Sequence, residues 1–223
     1  MNGPLALVGG DEWRQGCDFD AELLAASGGS EVVVLPTAAA YEHPERAVDA
    51  ATSWFAGFGG KVVGLDVLQR RDALDPDRAA AVRAARFVYL SGGSPLHLRS
   101  VLKETPVWDA LVAAGDDGAV VAGSSAGAMV LCDPMVDPRG GAFTVGLGLV
   151  ANLAVLAHAE PDVDRVHVHH RTFELASAGL PVAAITERTA LIRDPEGTWS
   201  ASGAGSVRVF VDAKETGLEA LPT

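Results

Sequence analysis

The chain has 223 residues, 48% of them hydrophobic and 21% charged, with a formal net charge of −12. This length supports a large buried core, while the acidic balance and the lack of a long basic run exclude a nucleic-acid groove of clustered Lys and Arg. The N-terminus MNGPLALVGGDEW has no basic flank and no stretch approaches about 18 apolar residues, so neither a signal peptide nor a membrane span is expected and a cytoplasmic location is.

Short β-branched runs then alternate with Ala-rich stretches. PLALV (4–8) reads as a strand leading into Gly9 and Gly10, and DFDAELLAAS (18–27) as a helix. EVVVLP (31–36) and KVVGLDVL (61–68) read as strands, each followed by a helix: HPERAVDAATSWFAGF (43–58) and DPDRAAAVRAA (75–85). FVYL (87–90) leads through SGGSP into the helix LHLRSVL (96–102); the helix PVWDALVAAG (106–115) precedes the strand AVVA (119–122). This alternation predicts a parallel sheet covered by helices on both faces. Aromatics make up only 6%, so Ala, Val, Leu and Gly must fill the core, which suits close helix-on-sheet layers.

Residues 133–152, rich in Gly, Pro and Asp, predict a long loop. LAVLA (153–157) and VAAIT (182–186) read as strands, with the helix DRVHVHHRTFELASAG (164–179) between them. TALIRD, TWSAS and SVRVFVD predict a short antiparallel extension from about residue 189. No repeat or linker interrupts the pattern, so one domain over 1–223 is expected. Cys17 and Cys132 belong to no CxxC pair or Cys/His cluster and read as ordinary reduced thiols. In HVHH, His167 and His170 would share a helix face and His167 and His169 a strand face, but no third ligand has suitable spacing. No metal or organic cofactor is expected.

Ligands of open parallel sheets bind outside the carboxyl ends of the strands. Three strand exits are therefore of interest: GGDE (9–12), SGGS (91–94) and GSS (123–125). The third continues as GSSAG (123–127), which fits G-x-S-x-G. That motif turns a strand sharply into a helix and holds one hydroxyl at the tip; small residues flank it because backbone passes close by. Here the hydroxyl is that of Ser125, and the N–H of Ala126 could receive an oxyanion. A helix N-cap accounts for the same residues, and Ser124 could serve as the cap while Ser125 stays free. A serine nucleophile needs a base, and the histidines are His43, His97, His158, His167, His169 and His170. None lies beyond 170, which speaks against an ordinary esterase or lipase with its late histidine. At SGGS, Gly92 and Gly93 permit close backbone approach, while Ser94 before Pro95 also reads as a helix cap.

Taken in order, ALVGGDE (6–12), VVVLPTAAA (32–40), FVYLSGGSPLHL (87–98), AGSSAGAMVL (122–131), GLGL (146–149) with His158 nine residues beyond it, and ITERTALI (185–192) resemble the serine peptidases of family S51, the family of dipeptidase E and cyanophycinase. The resemblance runs roughly from residue 4 to 192. It implies an α/β three-layer sandwich with a mostly parallel sheet, flavodoxin-like and akin to the class I glutamine amidotransferases. Those enzymes carry a cysteine at this turn where the chain has Ser125, and Cys132 lies further on, so glutamine hydrolysis through a thiol is disfavoured.

The resemblance further implies Ser125 as nucleophile, His158 as general base and Glu187 as the acid orienting the histidine. Asp137 is the alternative acid, following the dipeptidase E pattern. Gly92 and Gly93 match the loop that holds the oxyanion together with the Ala126 N–H, and Ser94 falls where relatives contact substrate. The chain departs from the family pattern at Ser94-Pro95, where Asn-Gln or Asp-Gln is usual, at Ala159 in place of Phe, at Thr186 in place of an acid, and in the helix after His158. These departures bear on substrate contacts. The implied function is a cyanophycinase-like or dipeptidase E-like serine peptidase cleaving a peptide or isopeptide amide, with no nucleic-acid or membrane partner and with a homodimer as an added expectation. The altered loop motivates the alternative of a non-catalytic binding or regulatory protein on the same scaffold.

Overall fold

The computed structural model describes residues 1–160 and 166–223, without the side chains of residues 166–169. The first half alternates as the apolar runs predict, except that the strand expected over 61–68 ends at Gly64 and an unexpected one-turn helix, α3, follows it: β1 (Leu5–Val8), α1 (Phe19–Ala26), β2 (Glu31–Leu35), α2 (Pro44–Ala56), β3 (Lys61–Gly64), α3 (Arg70–Ala73), α4 (Pro76–Ala84), β4 (Phe87–Leu90), α5 (Pro95–Leu102), α6 (Pro106–Asp116), β5 (Val120–Ser124) and α7 (Ala126–Leu131). Three consecutive helices start on the same local chemistry. Asp75, Ser94 and Thr105 each accept an N–H of the first turn of α4, α5 and α6, and each is followed by a proline at the first helical position.

The second half holds β6 (Cys132–Asp133), β7 (Met135–Val136), β8 (Phe143–Thr144), β9 (Val150–Ala151), β10 (Ala154–Leu156), α8 (Val166–Leu175), β11 (Val182–Ile185), β12 (Thr189–Arg193), β13 (Trp199–Gly203), β14 (Val207–Val211) and β15 (Lys214–Thr216). The seven-stranded sheet has the order β13-β12-β1-β5-β4-β2-β3. From β1 to β3 all pairings are parallel; β12 and β13 add to β1 antiparallel. A second sheet has the order β10-β11-β14-β15, with β10 and β11 parallel.

Continuous apolar strands follow from burial on both faces. Alternate residues go to different cores: Leu5, Leu7, Val88, Leu90 and Val121 face one cluster with α4 to α7, and Ala6, Val8, Phe87, Tyr89, Val120 and Ala122 face the other with α1 and α2. The large sheet between two helical layers agrees with the expected α/β sandwich.

Three further differences from the sequence expectations lie in the second half. The stretch 133–152 forms two small ladders, β6 with β9 and β7 with β8, instead of a loop. Two-residue strands are too short to show a period, so composition could not reveal them. The antiparallel stretch from residue 189 is divided: β12 and β13 extend the main sheet, while β14 and β15 join the second. Of the helix expected over 164–179, residues 164–165 lie outside the described residues, and α8 covers Val166–Leu175. Among the described residues, no helix is long and apolar enough to cross a membrane.

Candidate active site

Strands β4, β5 and β1 are neighbours and parallel, so the exits SGGS, GSS and GGDE converge at one edge of the sheet. Between β5 and α7 the backbone turns at Ser125, with φ 48° and ψ −108°. A non-glycine residue there carries strain of about 1–3 kcal/mol, which the surroundings must hold. The Ser125 N–H donates to Val8 O at 2.9 Å and its carbonyl accepts from Met129 N–H at 2.9 Å. A side chain at Gly127 would overlap the Leu90 carbonyl, and one at Gly123 would run into the Gly127 backbone, so the turn closes only with small residues. Ser124 is fully buried, and its Oγ donates to Glu12 Oε2 at 2.7 Å.

Ser125 Oγ lies 2.8 Å from His158 Nε2, and His158 Nδ1 lies 2.9 Å from Glu187 Oε1. A neutral imidazole with its proton on Nδ1 donates to Glu187 and accepts the serine O–H at Nε2. His158 follows β10 and Glu187 follows β11; the parallel pairing of those strands brings their exits together. Both residues are tied by backbone to the exit of β1. The His158 N–H donates to Gly9 O at 2.9 Å, and the Arg188 N–H, next to Glu187, donates to Gly10 O at 2.8 Å. A Cβ at Gly10 would overlap the His158 ring, so this glycine, at φ 131°, is the seat of the imidazole. The Glu187 N–H donates to the Glu160 carboxylate. The side chains of His158 and Glu187 are 33% and 39% exposed, which leaves the row open to solvent and ligand.

On the other side of Ser125 stands the glycine loop. The Gly92 N–H donates to Glu12 Oε1 at 2.9 Å, so this expected oxyanion donor is already engaged within the protein. Gly93 sits at φ 134° against the Ala38 carbonyl, where a side chain would collide. Among the described residues nothing accepts the Gly93 N–H. Ala126 is the first residue of α7, and by position its N–H has no helical acceptor. Gly93 and Ala126 line a cavity of about 340 Å³ that Ser125 and His158 also line, walled by Met129, Val136, Pro138 and Leu156.

The remaining expected residues are placed elsewhere. Ser94 uses its Oγ to accept the His97 N–H and cap α5. Asp137 lines the cavity, but its carboxylate is bound by Arg139 at 2.9 and 2.5 Å and not by His158, so the alternative acid is not in the row. The Arg139 hydrogen bonds push the Asp137 carboxyl down to about 2. Cys17 and Cys132 are buried and free, and burial pushes the Cys17 thiol up to about 11 and raises that of Cys132 further. His43 faces Glu45, and His97 Nε2 contacts Leu68 O at 2.9 Å. The side chains of His167 and His169 lie outside the described residues, and His170 pairs with Glu174 at 3.4 Å. Among the described residues no group of three His, Cys, Asp or Glu could hold a metal ion.

Sequence reading missed Glu12 and the anchoring role of Gly9 and Gly10. The available signal was GGDE itself, a strand exit that carried no role of its own beside SGGS and GSS.

The profile of Peptidase family S51 matches residues 6–198. The chain is 31% identical over 173 residues to the cyanophycinase of Trichormus variabilis, covering 70% of this chain and 54% of that protein. It is 27% identical over 222 residues to the cyanophycinase of Synechococcus elongatus, covering 95% of this chain and 68% of that one. The chain thus spans about half the length of the first of these relatives. Among solved structures, a peptidase from an acI-B1 Actinobacterium superposes with a TM-score of 0.85 at 27% identity, covering 96% of this chain and 93% of that one. A protein from Listeria monocytogenes EGD-e, provisionally assigned as peptidase E, shares the fold with a TM-score of 0.67 at 18% identity, over 94% and 98% of the two chains.

Proposed function

The chain belongs to peptidase family S51, and from that premise we propose that it is a serine peptidase that cleaves a peptide or isopeptide amide through an acyl-enzyme on Ser125. The observation that carries the reading is the unbroken row Ser125 Oγ, His158 Nε2, His158 Nδ1 and Glu187 Oε1, with contacts of 2.8 and 2.9 Å.

In this reading Ser125 Oγ attacks the scissile carbonyl while His158 Nε2 takes its proton. Glu187 holds the tautomer and stabilises the imidazolium that forms. The carbonyl oxygen, now negative, receives the N–H groups of Ala126 and Gly93; one such donor is worth roughly 3 kcal/mol in the transition state. Collapse breaks the C–N bond, and His158 returns the proton to the leaving amine. A water then attacks the ester, its proton passes to His158 and on to Ser125 Oγ, and the acid product leaves. The cavity beside Ser125 would receive the acyl side of the substrate. Its walls are mainly apolar and the Ser94-Pro95 departure falls in the loop beside it, so a cyanophycinase-like or dipeptidase E-like preference is assigned by family alone.

A fluorophosphonate probe tests the reading. The protein should be labelled on Ser125, Ser125→Ala should not label, and Ser124→Ala should still label, more slowly. A folded wild-type protein that resists the probe would remove the serine mechanism. A peptide library then distinguishes α-linked from isopeptide substrates.

A further inference from the structure

We propose that Glu12 is a positioning residue whose carboxylate fastens the Gly92–Gly93 loop to the Ser124–Ser125 turn, so that the Gly93 N–H is presented to the reacting carbonyl. The proposal deepens the serine-peptidase reading above and rests on it.

A loop of two glycines has the greatest backbone freedom of any dipeptide and no side chain with which to pack. It needs fixed points, and the structure supplies two. Glu12 Oε1 accepts the Gly92 N–H at 2.9 Å, and Ala38 O accepts the Ser94 N–H at 2.8 Å. The amide between them, that of Gly93, has no acceptor among the described residues, and Gly93 lines the cavity at Ser125. The other carboxylate oxygen, Oε2, accepts the hydroxyl of Ser124, the residue before the nucleophile, at 2.7 Å. One carboxylate therefore spans β4's exit and β5's exit, reaching partners 80 and 112 residues further along the chain.

The packing is tight in the same place: a Cβ at Gly92 would stand 3.3 Å from Glu12 Oε1 and 3.6 Å from Ser125 Cβ. Hydrogen bonds to an ionised acceptor are stronger and shorter than neutral ones, which suits a fixed point for a loop without side chains. Neighbouring charge is directed elsewhere: Asp11 takes Arg14 at 3.0 Å and Arg188 at 3.6 Å, leaving Glu12 to the two amide and hydroxyl donors. Glu12 makes no contact with Ser125 Oγ or His158 that would give it a proton-transfer role.

Two substitutions separate reach from charge. Glu12→Gln keeps the length: its amide oxygen accepts the Gly92 N–H and its NH₂ donates to Ser124 Oγ. Glu12→Asp keeps the charge but is one methylene too short to span both partners. The readout is the rate of Ser125 labelling by a fluorophosphonate, whose phosphoryl oxygen must enter the same amide site, resolved into reversible affinity and inactivation rate. Glu12→Gln should label within about threefold of wild type, since a neutral bond replaces a charged one. Glu12→Asp should inactivate roughly 10²-fold more slowly, as for a lost oxyanion donor, with affinity unchanged. In parallel, exchange of the Gly92 amide should be slow in wild type and Glu12→Gln and fast in Glu12→Asp. Wild-type labelling in Glu12→Asp, or loss in Glu12→Gln with Gly92 still protected, would overturn the proposal. If the wild type itself resists the probe, the peptidase reading fails separately; Gly92 protection that survives in Glu12→Asp then refutes the Glu12 contact, and its loss upholds it.

Discussion

In the interior of the seven-stranded sheet, Leu7, Leu90 and Val121 are fully buried, lie on regular strands and face one shared apolar cluster. A few residues further on, the same three strands end in Gly10 at φ 131°, Gly93 at φ 134° and Ser125 at φ 48°. His158 and Arg188, delivered by the second sheet, are also in positive φ, at 51° and 54°. Burial of the interior comes from many interchangeable contacts. The rim depends on single hydrogen bonds and on places where one added methyl group would collide. The interior therefore tolerates repacking, whereas the geometry of the rim tolerates almost no change of residue.

The contrast can be broken most forcefully at the acid. Glu187→Gln should slow probe labelling or turnover by about 10²–10⁴, because the imidazole loses its tautomer control, while the melting temperature stays near wild type. An interior lesion should do the reverse. Phe55 is fully buried and meets Phe87 and Tyr89 edge-on at 5.8 and 6.4 Å. Phe55→Ala should cost about 3–5 kcal/mol in denaturant unfolding and leave the labelling rate of the folded fraction unchanged.

Gly10→Ala sharpens the comparison further, since it adds one methyl group at the rim. The new Cβ must displace the His158 ring, and a misplacement of about 1 Å should slow labelling roughly 10²-fold, while the strain of an alanine at φ 131° should cost about 1–3 kcal/mol of stability, less than Phe55→Ala.

A weaker effect tests an exception inside the core. Asp20 is fully buried beside Trp54, whose Nε1–H donates to it at 2.9 Å, and burial raises its carboxyl well above the ordinary aspartate range. The folded protein keeps that proton at pH values where the unfolded chain has released it. Stability attributable to Asp20 is therefore greatest at low pH and falls as pH rises from the ordinary aspartate value through the raised one. Asp20→Asn keeps an acceptor for Trp54 and should flatten this part of the melting temperature against pH. The smallest effect is expected at Asp137, engaged by Arg139 at the exposed edge of the cavity: Asp137→Asn should change labelling by less than about threefold, in keeping with the modest worth of an exposed ion pair. A loss as large as that of Glu187→Gln would reassign the acid.

Much of this was readable from local pattern. The apolar runs of the first half needed no partner to identify them as strands, and Ser94 before Pro95 announced the start of α5 through chemistry confined to four residues. GSSAG marked the turn at Ser125 because steric closeness at a strand-to-helix bend admits few residue types. The short ladders of 133–152 were not readable, since two-residue strands carry no period.

What the amino-acid order determined by itself was the layered α/β plan and the single hydroxyl at the tip of β5, because both follow from periodicity and sterics within short windows. What only the tertiary structure decided was which groups meet there. The parallel pairing of β10 with β11 set Glu187, and not Asp137, beside His158, and the placement of β1 beside β5 brought Glu12 to the Gly92 amide. Those outcomes depend on contacts between residues tens of positions apart, where a hydrogen bond forms or fails within a few tenths of an ångström that no local pattern encodes.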